Sequence, residues 1–266
     1  ICELMPRVAS IADRFAFIRS LVGSAGRHDG FQCQSGFHYK DLESMGGRPV
    51  MGSVVSKLQG QADDDAPAFV DLMLVRPLVR NSARPGFLGP AHKPFRPDIS
   101  GMFHRELEKG MQGELKRLGA DHSVSMKLNE QLSLDRLASR ANLLVGLDRI
   151  RRKVDASGMM NAMDAFNQQA VSILTSGRFA EALDLSLEDP RTVRRYTSPA
   201  NPDAFQFTTA EGAEAPQKFL LARRLIEAGV RCVSVSISDF DTHSSNFPRM
   251  RALLPIVDHG LHALVT

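Results

Sequence analysis

The period of the apolar positions changes along the chain, and each change marks an element. Residues 216–229, PQKFLLARRLIEAG, put Phe219, Ala222 and Ile226 on one face at helical spacing, between Pro216 and Gly229, which predicts a helix. The next eight residues, 230–237, alternate: Val233, Val235 and Ile237 are separated by Ser234 and Ser236, the period of a strand. Leu254, Val257, Leu261 and Leu264 then predict another helix, with Pro248 near its first turn.

The amino-terminal part has the same grammar. Residues 3–14 predict an amphipathic helix, and 15–22, FAFIRSLV, a short strand. A glycine-rich loop, GSAGRHDG, follows. Residues 51–60 predict a helix stopped by Gly60, and 68–75, AFVDLMLV, a strand. Residues 76–101 hold many of the prolines and predict a long irregular surface segment, a kind of loop that is often functional.

The middle of the chain predicts helices. Leu143, Leu147, Ile150 and Val154 share a face in 133–154, with Ser133 as a possible N-cap and Asp135 in the first turn. Met159, Met163, Phe166 and Ala170 form a stripe that is read as core rather than as a cofactor box. TAEGAEA, 209–215, is read as a polar closing loop. Helix, turn, strand, polar loop, helix is the order of an α/β domain with a mostly parallel sheet. In such sheets ligands bind beyond the carboxyl ends of the strands.

That rule draws attention to SDFDTHSSNF, 238–247, directly behind the alternating run. Asp241 and His243, two residues apart, lie on one side of an extended segment, and Asp239 has the same parity. Carboxylate oxygens and an imidazole nitrogen so placed can converge on one zinc or manganese ion. A solvated turn in which Asp239 or Asp241 caps the next helix is the competing reading. His28, behind the first glycine loop, is either a substrate or metal contact or a loop histidine in water. The chain contains no GxSxG, Walker, HExxH or GxGxxG motif, so the corresponding hydrolase, nucleotide, zincin and dinucleotide readings lack support.

Composition narrows the classes further. With 33 basic and 30 acidic residues, a net charge of +3 gives no argument for nucleic acid or an anionic membrane as partner. The apolar runs fall far short of the roughly 20 residues of a membrane span. Cys2, Cys33 and Cys232 show no metal spacing, and an odd count excludes complete pairing, so they are read as buried thiols. The chain opens at Ile1 in mid-pattern and stops at Thr266 inside a predicted helix, and is therefore read as a fragment of a longer protein.

Three stretches together carry a resemblance: ELMPRVASIADRFAFIRSLVG with HDGFQCQSG, the helical SLDRLASRANLL to DPRTVRRY, and QKFLLARRLIEAGVRCVSVSISDFDTHSSNF with LLPIVDHGLHALV. Their order resembles the bacterial family of domains of unknown function numbered 1501, grouped with the sulfatase and alkaline phosphatase-like superfamily. The resemblance implies an α/β/α sandwich with a mostly parallel sheet, forming one incomplete domain over 1–266 in which about 125–215 are a helical insertion or cap. It implies a divalent metal ion (zinc, manganese or calcium) held by Asp241 and His243, with Asp239 as a further oxygen ligand. His28 matches the family's histidine after the first glycine loop and is the catalytic candidate, as a donor to the ester or its leaving group. The implied activity is hydrolysis of sulfate or phosphate esters on a small molecule or a polysaccharide, and the implied location is exported, periplasmic or extracellular. The family's amino- and carboxyl-terminal ligand segments are absent from these residues. The sulfatase signature C/S-x-P-S-R is absent too: Cys33 is not followed by Pro-Ser-Arg. A binding or scaffold protein that keeps the fold without the chemistry is the alternative.

Overall fold

In the computed structural model the described residues are 1–23, 31–38, 41, 46–61, 64–72, 83–97, 99, 102–103, 105–106, 177–199, 210–237, 240, 242 and 245–266. The predicted helices of 133–154 and 155–176, and most of the predicted insertion, lie outside them.

The described part is a mixed helix and strand structure built on a small parallel sheet. Strand β1 (Phe69–Leu72) pairs in parallel with β4 (Cys232–Val235), in the register Phe69↔Cys232 to Leu72↔Val235. The two predicted strands are therefore neighbours although more than 150 residues of sequence separate them. Phe95 flanks β1 on its other edge, where its carbonyl accepts from the Asp71 amide and its own amide donates to Phe69. A second pair, β2 (Arg105–Glu106) with β3 (Ala210–Glu211), is antiparallel.

Side chains alternate across the parallel pair. Val70, Leu72, Val233 and Val235 face a core completed by Leu221 and Leu225 of α6 (Gln217–Glu227) and by Phe179 and Ala182 of α4 (Arg178–Leu183). Phe69 and Cys232 face the other way, onto Phe31 of α2 (Phe31–Ser35), Val50 and Ala83, below α3 (Met51–Gln59). Helices thus lie on both faces, which is what a parallel pair needs in order to bury both of its surfaces. Each fully buried leucine or valine of these clusters contributes roughly 1.5–3 kcal/mol over an exposed one.

Helix α6 stops where Gly229 takes φ 108 and lets the Val230 amide reach back to the Leu225 carbonyl. Arg231 and Cys232 then both donate to the Ala68 carbonyl and start β4 in register. After β4 the chain enters the 20-residue helix α7 (Asn246–Val265), which packs on α6 and on α1 (Pro6–Ser10). The buried Asp258 of α7 accepts from the Arg7 and Val8 amides at 3.1 and 2.7 Å, joining the two ends of the described chain. Helix α5 (Pro190–Arg195) is capped by Asp189, whose carboxylate accepts from the Arg191 amide.

Several predicted elements differ from the observed ones. The helix over 3–14 is interrupted at Ile11 and resumes as a 3-10 turn, Ala12–Arg14. Residues 15–22 form no strand, and Ile18, Leu21 and Val22 are 80, 86 and 89% exposed. The irregular segment 76–101 is not wholly at the surface, since Ala83 and Ile99 are buried. The predicted polar loop at 209–215 contains β3 and the buried Glu211 and Ala215. In α6 Phe219 and Ala222 of the predicted face are buried, but Ile226 is 49% exposed, and Lys218, Leu221 and Leu225 are buried as well. In α7 Pro248 lies in the first turn as expected, but the helix passes through Pro255, and its buried residues are Ala252, Leu253, Ile256, Asp258, Gly260 and Ala263 rather than the predicted stripe. Cys2 and Cys33 are exposed and Cys232 is half-buried, so the reading of buried thiols fails for the first two.

Candidate functional site

The candidate site is the carboxyl end of β4 and the residues around it. Two buried polar clusters occupy this end of the sheet. In the first, Asp71, the third residue of β1, is 1% exposed. Its carboxylate accepts from Ser234 Oγ at 2.5 Å on one oxygen and from Arg96 Nε at 2.8 Å on the other. Arg96 also donates to the Ala83 carbonyl at 3.2 Å. A buried carboxylate needs such a cation and such donors, because burial alone strongly disfavours its charged form.

Cys232 lies on the same face of the sheet as Asp71. Burial and, secondarily, the Asp71 charge push its thiol pKa up. The thiol is therefore held in its protonated, poorly nucleophilic form at neutral pH.

In the second cluster, Lys218 at the start of α6 is fully buried and pairs with the buried Glu211 of β3 at 2.8 Å. The same ammonium donates to the Ser236 carbonyl at 3.3 Å and lies 5.8 Å from the centre of the Phe103 ring. Ser236 is the residue directly after β4. Ile237 then packs with Tyr196, Phe219 and Leu220.

Beyond Ile237 the described residues are few. Phe240 is 49% exposed. Thr242 Oγ1 donates to Asn246 Oδ1 at 2.8 Å. Ser245 takes the left-handed conformation, φ 53, immediately before α7. Asn246 is the first residue of that helix, and Phe247 is 77% exposed.

Asp239, Asp241, His243 and His28 all lie outside the described residues, as does Ser24. Among the described residues no three histidine, cysteine, aspartate or glutamate side chains come together in a way that could hold a metal ion. No helix of the described residues is long and apolar enough to cross a membrane.

Sequence reasoning missed Asp71, Lys218 and Glu211. The signal for Asp71 was present, as a charge inside an apolar run of strand length. Lys218 gave little, since a lysine in the first turn of an amphipathic helix is ordinarily solvated.

The chain belongs to the protein family of unknown function DUF1501, whose sequence profile matches residues 1–266. No curated protein and no solved structure matches it.

Proposed function

We propose that the protein is a metal-dependent hydrolase of sulfate or phosphate esters with an alkaline phosphatase-like α/β/α sandwich, acting on a small-molecule or polysaccharide ester outside the cytoplasm. The observation that carries this reading is the position of β4. It is a strand of a parallel sheet with helices on both faces, and Asp239, Asp241 and His243 follow its last residue, Val235, in the sequence. Ligands of such sheets bind at that end.

The donor set of two carboxylates and an imidazole suits zinc or manganese, and calcium on its oxygens. A divalent ion held there lowers the pKa of a bound nucleophile and offsets charge on the transferring group. Asp241 and His243 are the proposed ligands, with Asp239 as a further oxygen. His28 is the proposed donor to the ester oxygen or leaving group. The remaining ligands and the nucleophile come from elsewhere, because Cys232 is held as a thiol and C/S-x-P-S-R is absent.

That missing nucleophile favours a second reading, a binding or scaffold protein that retains the fold. Assays of aryl sulfate and aryl phosphate hydrolysis with added manganese or zinc separate the two. Turnover that Asp241→Ala and His28→Ala both abolish supports the hydrolase. Absence of turnover on both ester classes, together with binding of a sulfated polysaccharide, supports the scaffold.

A further inference from the structure

Lys218 and Glu211 form a buried ion pair with no solvent on either charge: the side chains are 0 and 1% exposed. Such a pair is poor evidence of a stability role. Desolvation of both ions consumes most of their attraction, and apolar residues of similar volume commonly serve as well. What apolar residues cannot do is donate to a backbone carbonyl. Lys218 donates to that of Ser236, one residue past the last pair of the ladder, Leu72↔Val235.

We propose that Lys218, held by Glu211, is a positioning residue that fixes the exit of the chain from β4 and so sets where residues 239–243 depart. The inference rests on the reading of 239–243 as the ligand stretch. Ser236 lies three residues before Asp239, close enough for an error in its placement to be passed on. Ile237, packed against Tyr196, Phe219 and Leu220, fixes the direction that the carbonyl bond begins. At the far end Ser245, with φ 53, and the Thr242–Asn246 hydrogen bond set the entry into α7. The described residues before and after the stretch, Ser236 with Ile237 and Ser245 with Asn246, are thus each held in place, and Lys218 is the buried charge committed to the first of them.

The test compares the wild type, Lys218→Met, the double variant Lys218→Met/Glu211→Met and Glu211→Gln. It reads thermal melting, hydrogen–deuterium exchange by peptide, and Mn2+ affinity by calorimetry. The double variant is expected to melt within a few degrees of the wild type. Its amides in 236–246 are expected to exchange at least about tenfold faster while those of 217–235 are unchanged, and its Mn2+ affinity to fall about 10- to 100-fold, the usual loss when an outer-shell support is removed. Lys218→Met alone strands the Glu211 carboxylate and is expected to melt well below the double variant.

Unchanged exchange in 236–246, or exchange that rises equally in 217–235, overturns the proposal. If the double variant does not fold, Glu211→Gln decides: a local rise confined to 236–246 supports positioning, and no local rise overturns it. A wild type that binds no Mn2+ removes the reading of 239–243 as ligands, and the exchange data still decide whether the pair fixes the exit of β4.

Discussion

Asp71 and Ser234 stand directly opposite one another in the parallel register of β1 and β4, and the Ser234 hydroxyl donates to the Asp71 carboxylate. Two strands far apart in sequence are thereby joined by a side-chain bond as well as by the ladder. The other carboxylate oxygen is taken by Arg96, which ties the proline-rich segment to the same point. Removing the carboxylate leaves Arg96 and Ser234 without it. Asp71→Ala is expected to lower unfolding free energy by about 3 kcal/mol, and Ser234→Ala by about 1–2 kcal/mol. Urea unfolding of the two single variants and the double one measures both values. Additive losses would show that the bond between them contributes nothing.

Gly260 of α7 lies against the Phe219 ring, and a methyl group there would overlap it. Helix propensity alone would favour alanine by about 1 kcal/mol. The overlap is expected to win, with Gly260→Ala losing about 1–3 kcal/mol of stability. A gain in melting temperature would mean that α6 and α7 are not packed as closely as described.

Leu225 is fully buried between α6 and the sheet. Leu225→Ala is expected to cost about 2–5 kcal/mol, while Ile226→Ala, at a half-exposed neighbour, costs under about 1 kcal/mol. Equal losses at the two sites would contradict the observed orientation of α6.

His259 of α7 places Nε2 2.9 Å from the Arg195 carbonyl, to which the neutral ring donates. Burial, above all, holds its pKa below the ordinary value of 6.5, and the nearby Arg7 adds to this. Its folded pKa is depressed, so the unfolded chain binds the proton more readily. The stability contributed by the neutral ring is therefore complete above 6.5 and is lost as pH falls through the folded pKa. His259→Gln is expected to lose less melting temperature than the wild type between pH 7.5 and pH 5. Parallel losses in the two proteins would exclude His259 as the cause.

Ile18 and Leu21, 80 and 86% exposed, lie in a segment that is neither helix nor strand, beside the exposed Phe17 and Val22. Exposed apolar runs of this kind promote association. Ile18→Lys with Leu21→Lys is expected to leave melting unchanged and to reduce light scattering at high concentration. A large fall in melting temperature would place this segment in the core instead.

The last of these contrasts shows how far the sequence was legible. FAFIRSLV has the composition of a strand, but a strand also needs an edge to pair with, and local pattern does not contain that. PQKFLLARRLIEAG and VRCVSVSI were read as helix and strand because period, capping and termination agreed. Their pairing with β1 is a long-range contact that no local pattern specifies. In α6 the face of Phe219 and Ala222 is buried as its spacing implies, but Ile226 is half-exposed and the burial extends to Lys218, whose charge conceals it and whose partner Glu211 sits in a stretch whose composition is that of a loop. In α7 the leucines at 254 and 264 suggested one stripe, while Leu253, Ile256 and Ala263 supply another that packs on α1 and α6. For the site, the end of β4 was legible from alternation followed by acidic residues. The buried clusters that support that end depend on tertiary proximity.

Asp241 and His243 are the proposed ligands of a divalent ion beyond the end of β4. Metal content of the purified protein, measured by mass spectrometry beside Asp241→Ala and His243→Ala, tests this assignment most directly. One tightly held divalent ion per chain is expected in the wild type, lost in both variants while their melting curves remain cooperative. A wild type without a bound divalent ion, or variants that keep it, would contradict the assignment and leave the binding role as the better account.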